Sequence, residues 1–248
     1  MIGGFEGGRP PSDSSSSDSS SSDSSSGGRA GSGGQRTLVH LVRHGEVENP
    51  AGLLYGRLPD FHLSELGREM AARTADDLRT RDIVHLRCSP LERAQETMEP
   101  LADALGLPVV IDERVIEADN YLQGLKVTFG ALLRRPVSWW LFRNALRPTW
   151  GEAYTEIRAR MRLAIKDAAA AAAGHEAVIV SHQLPIYIAR NDAENRRLWH
   201  DPRRRECTLA SVTTLTLIAG RVVSVGYREP AGDLLPTAAP VKKLVRRP

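Results

Sequence analysis

Short apolar runs alternate with longer amphipathic stretches along most of the chain. Four runs are short and rich in β-branched residues, which is typical of buried strands. They cover residues 37–42, 82–88, 109–111 and 177–180. Three stretches between or after them have the apolar spacing of helices. They cover residues 64–80, 91–105 and 152–173. This alternation predicts an α/β protein, a three-layer α/β/α domain with a mostly parallel central sheet.

Local signals support these boundaries. Ser64 stands where the N-cap of the first helix is expected. The last two apolar stretches, 208–218 and 222–227, flank Ala219-Gly220-Arg221. A turn of this composition between two apolar runs predicts a hairpin that completes one edge of the sheet.

The two ends of the chain differ in composition from the middle. Residues 1–35 are mostly Ser, Gly and Asp, which offer few apolar side chains to bury, and we expect a disordered extension there. Residues 229–248 are expected to form a flexible basic tail. The domain should therefore span residues 36–228. Within it, residues 117–150 lose periodicity around an aromatic cluster, and we expect an insertion or lid over one end of the sheet.

Composition excludes several classes of protein. The chain has 248 residues and 41% hydrophobic content, enough for one large domain. Its net charge is +3, but the basic residues are spread out, so we expect no nucleic-acid partner. Cys88 and Cys207 are too few for a disulfide framework. No apolar run reaches the roughly 18 residues of a membrane helix, and we expect a cytoplasmic protein with no membrane contact.

Reactive side chains follow the predicted strands. Arg43 and His44 end the first strand, Ser89 follows the second, and His182 follows the fourth. Ligands in such folds lie beyond the carboxyl ends of the strands, so we expect these side chains to converge there. Arg43 and Arg93 could bind the oxygens of a phosphoryl group, and a neutral imidazole at His44 could attack the phosphorus. No histidine has metal-ligand spacing, so we expect neither a metal nor another cofactor.

Several motifs resemble those of the histidine phosphatase superfamily, also called phosphoglycerate mutase-like. Arg43-His44-Gly45-Glu46 resembles its defining Arg-His-Gly motif, residues 88–97 resemble its Ser-Pro-Leu-x-Arg-Ala-x-Glu-Thr signature, and Val180-Ser181-His182 resembles its second-histidine motif. Two other stretches are similar to further family blocks, residues 54–67 and 151–154. The resemblance implies a phosphoglycerate mutase-like fold. Because Gln183 follows His182, it points to the branch without a His-Asp pair.

The resemblance also implies roles for individual residues. His44 would carry the phosphoryl group, while Arg43, Arg93 and His182 hold its oxygens.

Four other residues are candidates at the same site. Asn49 falls where family members often have a phosphate-contacting Asn, and Arg57 lies in a matched block, so both are expected to bind substrate. Glu117 is the expected proton donor, with Glu113 as the alternative.

The expected function is metal-independent hydrolysis of a small phosphomonoester, with phosphopeptides as a further substrate class. Two alternatives remain open, a phosphoglycerate mutase-type phosphotransferase and an inactive phosphate-binding or regulatory module. Residues 125–150 have no counterpart in the family pattern, so the substrate is not identified. We interpret residues 199–205 as a solvated loop, with an arginine lining the pocket as the alternative.

Overall fold

The computed structural model describes residues 35–120, 123–124 and 151–235. The predictions for residues 1–34, for most of the lid (121–122 and 125–150) and for residues 236–248 lie outside this part of the chain. Within it, six strands form one sheet. They are β1 (Arg36–Arg43), β2 (Ile83–Cys88), β3 (Val109–Ile111), β4 (Glu176–Ser181), β5 (Val212–Ile218) and β6 (Arg221–Arg228). The α-helices are α1 (Glu65–Leu78), α2 (Glu92–Leu105), α3 (Tyr154–Ala171) and α4 (Gln183–Ala193).

The strand order is β3-β2-β4-β1-β5-β6. The first four strands along the chain are mutually parallel, and β5 and β6 form an antiparallel hairpin beside β1. The mostly parallel sheet and the hairpin are therefore confirmed. Because β1, β2 and β4 run in the same direction, His44, Ser89 and His182 all emerge at one edge of the sheet.

Helices cover both faces of the sheet. Val39 and Leu41 of β1 pack in a cluster with apolar residues of α3 and α4. Val42, also in β1, packs in a second cluster with residues of α1 and α2. Neighbouring residues of one strand thus face opposite helix layers, as a doubly covered sheet requires. The three-layer α/β/α architecture is confirmed. No helix in the described residues is long and apolar enough to cross a membrane.

The sequence did not predict α4. His182 was expected to lie in a loop, but it is the N-cap of this helix. Pro185 lies in the first turn, where its missing N–H costs no intrahelical hydrogen bond. Ile186 and Ile188 are fully buried against the sheet and hold the helix there.

The strand β5 begins four residues later than predicted. Ala210 has a φ of 54°, in the left-handed region, which ends the extended conformation expected from residue 208. The preceding loop contacts the end of β1 instead. The backbone N–H of Ala210 donates to the carbonyl of His44 (3.3 Å), and that of Arg43 donates to the carbonyl of Ser211 (3.1 Å).

The flexible tail does not begin at residue 229. Ala231 is 1% exposed and packs with Met70 and Ala210. Leu234 and Leu235 pack against the same cluster, next to the 3₁₀ turn Gly232–Leu234. The prediction was wrong for residues 229–235 because their apolar side chains bury against the domain, although prolines and basic residues lie nearby in the sequence.

Candidate active site

His44 directly follows β1 and is 2% exposed. Its Nδ1 lies 2.7 Å from the carbonyl oxygen of Gly45, which can only accept a hydrogen bond. Nδ1 therefore carries the proton, and Nε2 keeps its lone pair. Burial, reinforced by the charges of Arg43 and Arg93, lowers the pKa of His44 well below its ordinary value. His44 is thus held as a neutral imidazole, the form that can act as a nucleophile.

Gly45 fixes this loop by its lack of a side chain. A Cβ at Gly45 would lie 2.5 Å from the carbonyl oxygen of Gly67 in α1. A Cβ at Gly67 would in turn meet the carbonyl oxygen of Glu46. The backbone N–H of Gly45 donates to Oγ1 of Thr97 in α2 (3.0 Å). The loop that carries His44 therefore sits directly on α1 and α2.

His182 lies beside His44, with the two ring centroids 5.2 Å apart. It is fully buried, and its Nε2 lies 2.7 Å from Oγ of Ser89 at the end of β2. Burial, with further contributions from His44 and Arg93, lowers the pKa of His182 well below its ordinary value. Sequence analysis placed Ser89 at this edge but gave it no role. Its position directly after a strand was the available signal.

The two arginines are each held by one backbone carbonyl. Nη2 of Arg93 donates to the carbonyl of Gly56 (2.6 Å), and Nη1 of Arg43 donates to that of Cys207 (2.7 Å). The Arg93 guanidinium also lies over the ring of Tyr55, 4.8 Å from its centroid. Other buried nitrogens of the site have no hydrogen-bond partner among the described residues. They are Nε of Arg43, Nε and Nη1 of Arg93, and Nδ1 of His182.

These unpaired nitrogens suit an anion. A buried donor without a partner is costly, and the cost disappears when an acceptor enters. The donors belong to side chains that flank one imidazole, and two of them are cationic. The arrangement can therefore bind the oxygens of a phosphoryl group next to Nε2 of His44.

Glu117 lines the cavity that opens beside His44. Its Oε1 accepts a hydrogen bond from the backbone N–H of Ala118 (2.8 Å). Burial raises the pKa of Glu117, although that hydrogen bond and the nearby arginines oppose the shift. Glu113, the alternative proton donor, is exposed and does not line this cavity.

Arg57 and Asn49, which were both expected to bind substrate, are not among the residues that line the cavity, and their binding role stays a prediction. Nε of Arg57 donates to the carbonyl of Glu117 (2.7 Å), and its Nη2 donates to the Glu152 carboxylate (2.9 Å), so Arg57 supports the wall from behind. The Asn49 side chain is engaged with the backbone of Leu53 through both its amide nitrogen and its oxygen. In this structure Asn49 closes a loop.

The cavity has a volume of about 390 Å³. Of the predicted site residues, Arg43, His44 and Glu117 line it, while Arg93 and His182 are fully buried beside His44. Several polar or aromatic lining residues were not among the predicted site residues. They include Tyr55, Tyr154, Gln183 and Arg205.

Arg205 corrects our interpretation of residues 199–205 as a solvated loop, because this residue lines the cavity. Its weak sequence signal was one arginine within a run of three.

The residues on either side of positions 121–150 belong to the cavity wall. Asn120 and Gly151 form an antiparallel bridge, and both line the cavity. In the described ranges, no cluster of three or more His, Cys, Asp and Glu side chains is placed to hold a metal ion.

Comparison with known proteins gives the class of this site and fold. The family model described as histidine phosphatase superfamily (branch 1) matches residues 39–230, and the chain belongs to this superfamily. Among curated relatives, the uncharacterized protein Rv0525 of Mycobacterium tuberculosis is 52% identical over 198 residues, which are 79% of this chain and 98% of that protein. A probable phosphoglycerate mutase, GpmB of Yersinia pestis, is 32% identical over 60% of this chain and 70% of its own length.

Solved structures confirm the phosphoglycerate mutase-like fold. The mycobacterial glucosyl-3-phosphoglycerate phosphatase Rv2419c matches with a TM-score of 0.63 and 25% identity, over 78% of this chain and 96% of that protein. The same phosphatase has also been solved in complexes with inorganic phosphate and with VO3. The proteins similar to this chain thus include both phosphatases and a probable mutase.

Proposed function

We propose that this protein is a metal-independent phosphomonoester hydrolase that works through a phosphohistidine on His44. The observation that carries the proposal is the set of unpaired buried donors on Arg43, Arg93 and His182 around a neutral His44. The phosphate and VO3 complexes of a structurally similar phosphatase support a phosphate-like anion as a ligand. The cytoplasmic location expected from the sequence stays a prediction.

In the first step, Nε2 of His44 attacks phosphorus and the phosphorus–oxygen ester bond breaks. Glu117 gives its proton to the leaving oxygen, so an alcohol departs and Glu117 becomes a carboxylate. Arg43, Arg93 and His182 donate to the equatorial oxygens, on which negative charge lies during transfer. The raised pKa of Glu117 favours the protonated form that this step needs.

In the second step, a water molecule takes the place of the alcohol. Glu117 accepts a proton from this water while its oxygen attacks phosphorus, and the bond between phosphorus and Nε2 of His44 breaks. The products are inorganic phosphate, free His44 and a protonated Glu117, so the enzyme returns to its starting state. Neither proposed step uses a metal ion or another cofactor.

A phosphoglycerate mutase activity is the second candidate, and the 32% identical GpmB relative favours it. A mutase would return the phosphoryl group from His44 to a hydroxyl of a sugar acid rather than to water. We place hydrolysis first because a phosphatase is among the solved structures that match at 25% identity. An inactive phosphate-binding module is disfavoured, since the residues proposed as nucleophile, cations and acid lie at or beside one cavity.

The test is to trap the proposed phosphohistidine intermediate with a radioactive phosphoryl group. Wild-type protein mixed with a ³²P-labelled aryl phosphate and quenched in alkali should carry acid-labile label, and His44→Asn should carry none. His175→Asn is the matched control, because His175 is an exposed histidine paired with Asp82 and lies outside the cavity. Turnover in ¹⁸O-water should place one ¹⁸O in each phosphate released. Transfer to phosphoglycerate without ¹⁸O incorporation would favour the mutase, and equal labelling of His44→Asn would rule out the nucleophile.

A further inference from the structure

Arg205 contributes a cation to the cavity that the two proposed steps do not use. It lines the cavity together with Glu117 and His44, and its charge lowers the pKa of Glu117. Nε of Arg205 donates to Nε2 of His200 (2.8 Å). In the described part of the chain, no carboxylate forms an ion pair with Arg205, and its Nη1 and Nη2 have no bonded acceptor. The sequence from residue 121 to 150 contains no Asp or Glu that could pair with it.

His200 sets the direction of this guanidinium. Its Nδ1 lies 2.7 Å from the carbonyl of Leu198, so Nδ1 carries the proton and Nε2 accepts from Arg205. The ring stacks on Tyr154 at the start of α3, with centroids 5.5 Å apart, and packs against Tyr187 of α4 at 4.5 Å. Two helices therefore hold the histidine that anchors Nε of Arg205. Among the described residues, no acceptor competes with a ligand for the outer nitrogens of the guanidinium.

Two other carboxylates line the cavity, and neither forms an ion pair with Arg205 among the described residues. Glu152 is neutralised by ion pairs with Arg57 and Arg160. Asp119 also lines the cavity, but it makes no ion pair with Arg205. Arg205 is a guanidinium fixed at one nitrogen, with no carboxylate partner in the ranges that the structure describes. Such a group is suited to binding a planar or tetrahedral anion through its outer nitrogens.

We propose that Arg205 binds a second anionic group of the substrate, a carboxylate or a second phosphate, on the same small molecule that carries the ester phosphate. This inference rests on the proposed function and narrows its substrate class to phosphomonoesters with two anionic groups. The cavity volume of about 390 Å³ is in the range of small-molecule sites and accommodates both groups at once. His200 is the positioning residue for this contact.

The test compares three competitors on a three-carbon skeleton. They are 3-phosphoglycerate with a carboxylate, glycerol 1,3-bisphosphate with a second phosphate, and glycerol 1-phosphate with a neutral hydroxyl. Each is measured as a competitor of p-nitrophenyl phosphate hydrolysis, which gives a binding constant whether or not it is turned over. We expect at least one of the two doubly anionic probes to bind about 10- to 100-fold tighter than glycerol 1-phosphate, the range of a charged hydrogen bond. Which one binds tighter identifies the second group.

Arg205→Gln should reduce that preference to less than about threefold. The readout is the ratio between the binding constants of a doubly anionic probe and of glycerol 1-phosphate. Loss of the Arg205 charge also acts on Glu117, but that effect is the same for all three probes and cancels in the ratio. Arg204→Gln is the matched control and should keep the wild-type ratio, since Arg204 is exposed and outside the cavity. If Arg205→Gln does not fold, Arg205→Lys should still lower the ratio by about threefold, because lysine keeps the charge but lacks the planar fork.

Equal binding of the three probes to wild-type protein, or an unchanged ratio in Arg205→Gln, would overturn the inference. Failure of the hydrolase proposal is distinguishable from this result. Titration calorimetry of His44→Asn with the same three probes measures the ratio without any turnover. If no phosphohistidine forms but the doubly anionic probes still bind more tightly in a way that depends on Arg205, only the hydrolase proposal fails.

Discussion

Oγ of Ser89 lies 2.7 Å from Nε2 of His182, where β2 and β4 end side by side. The same Oγ lies 3.4 Å from the backbone N–H of Leu91, from which it can only accept. With one lone pair of Oγ turned to this N–H, we infer that the hydroxyl donates its proton to Nε2, which places the proton of the imidazole on Nδ1. Nδ1 is the His182 atom without a partner in the described structure. Ser89 thus selects the tautomer in which His182 can donate to an anion.

Ser89→Ala should lower kcat/KM for an aryl phosphate by about 10-fold, the equivalent of about 1.4 kcal/mol. Without the hydroxyl, the His182 proton is free to occupy Nε2, and the donor facing the phosphoryl group is then lost part of the time. Thr213→Val is the control, because Thr213 is a buried hydroxyl whose Oγ1 has no partner in the described residues. An unchanged kcat/KM in Ser89→Ala would show that the tautomer is set by another group.

Glu117→Gln should lower kcat/KM by about 100-fold or more for an alkyl phosphate, the usual contribution of a general acid. The loss should be much smaller for p-nitrophenyl phosphate, because an activated leaving group departs without a proton. Steady-state rates with the two substrates give the comparison. Glu113→Gln should behave as wild type with both, since Glu113 is exposed and outside the cavity. If the two losses are equal, the proton comes from another residue.

The dependence of activity on pH follows from Glu117 and His44. The pKa of Glu117 is raised by burial, so its acid form persists to higher pH than that of an ordinary carboxyl. The rate with alkyl phosphates should fall as the pH rises through this pKa. The pKa of His44 is lowered by burial and by two arginines, so the rate should fall on the acid side only at a pH well below 6.5. Glu117→Gln should abolish the fall in rate at high pH and keep the fall at low pH. The measured rates are first corrected for the ionisation of the substrate's own phosphate group.

Much of this fold was readable from sequence because buried parallel strands are nearly continuous apolar runs. β1, β2 and β4 are such runs, and each ends at a reactive residue, so the meeting of His44 and His182 could be predicted. The position of Arg205 could not. It depends on His200 packing against Tyr154 and Tyr187, which lie on two different helices.

The contacts that Asn49 and Arg57 make in the structure were less predictable for a related reason. A motif gives the type of a residue, but the backbone around Leu53 and the Glu152 carboxylate compete for these two side chains. Helix α4 was missed because its polar first turn and Pro185 resemble a loop, whereas its buried residues Ile186 and Ile188 gain their partners only from the sheet.

Gly45→Ala should inactivate the enzyme more than it unfolds it. The new Cβ would meet the backbone carbonyl of Gly67, which belongs to α1 and cannot turn away as a side chain could. The loop must then move, and with it the carbonyl that fixes Nδ1 of His44. Since shifts of about 1 Å can cost about 100-fold in rate, we expect a loss of at least that size. Gly226→Ala is the control, because its nearest contact is Cβ of Thr214 at 4.0 Å. Full activity in Gly45→Ala would mean that the loop tolerates displacement.

The end of the folded domain can be located by truncation. A chain ending at Leu235 keeps Ala231, which packs on Met70 and Ala210, and it keeps Glu229, which accepts a hydrogen bond from the Tyr227 hydroxyl (2.7 Å). A chain ending at Arg228 loses both contacts and exposes the apolar cluster. The difference between the two truncated chains isolates residues 229–235. We expect the shorter chain to be less stable by about 2 kcal/mol, from the apolar area uncovered.

This difference corresponds to a Tm lower by about 4 to 8 °C for a domain of this size. Thermal unfolding of the two chains under identical conditions provides the measurement. Ala231 packs on Ala210, and the N–H of Ala210 donates to the carbonyl of His44. The shorter chain should therefore also lose phosphatase activity. The point variant Ala231→Asp in the full-length chain should reproduce the loss of stability, since it would bury a charge at a site that is 1% exposed. Identical melting of the two truncated chains would show that these seven residues add nothing to the domain, as a flexible tail from residue 229 would require.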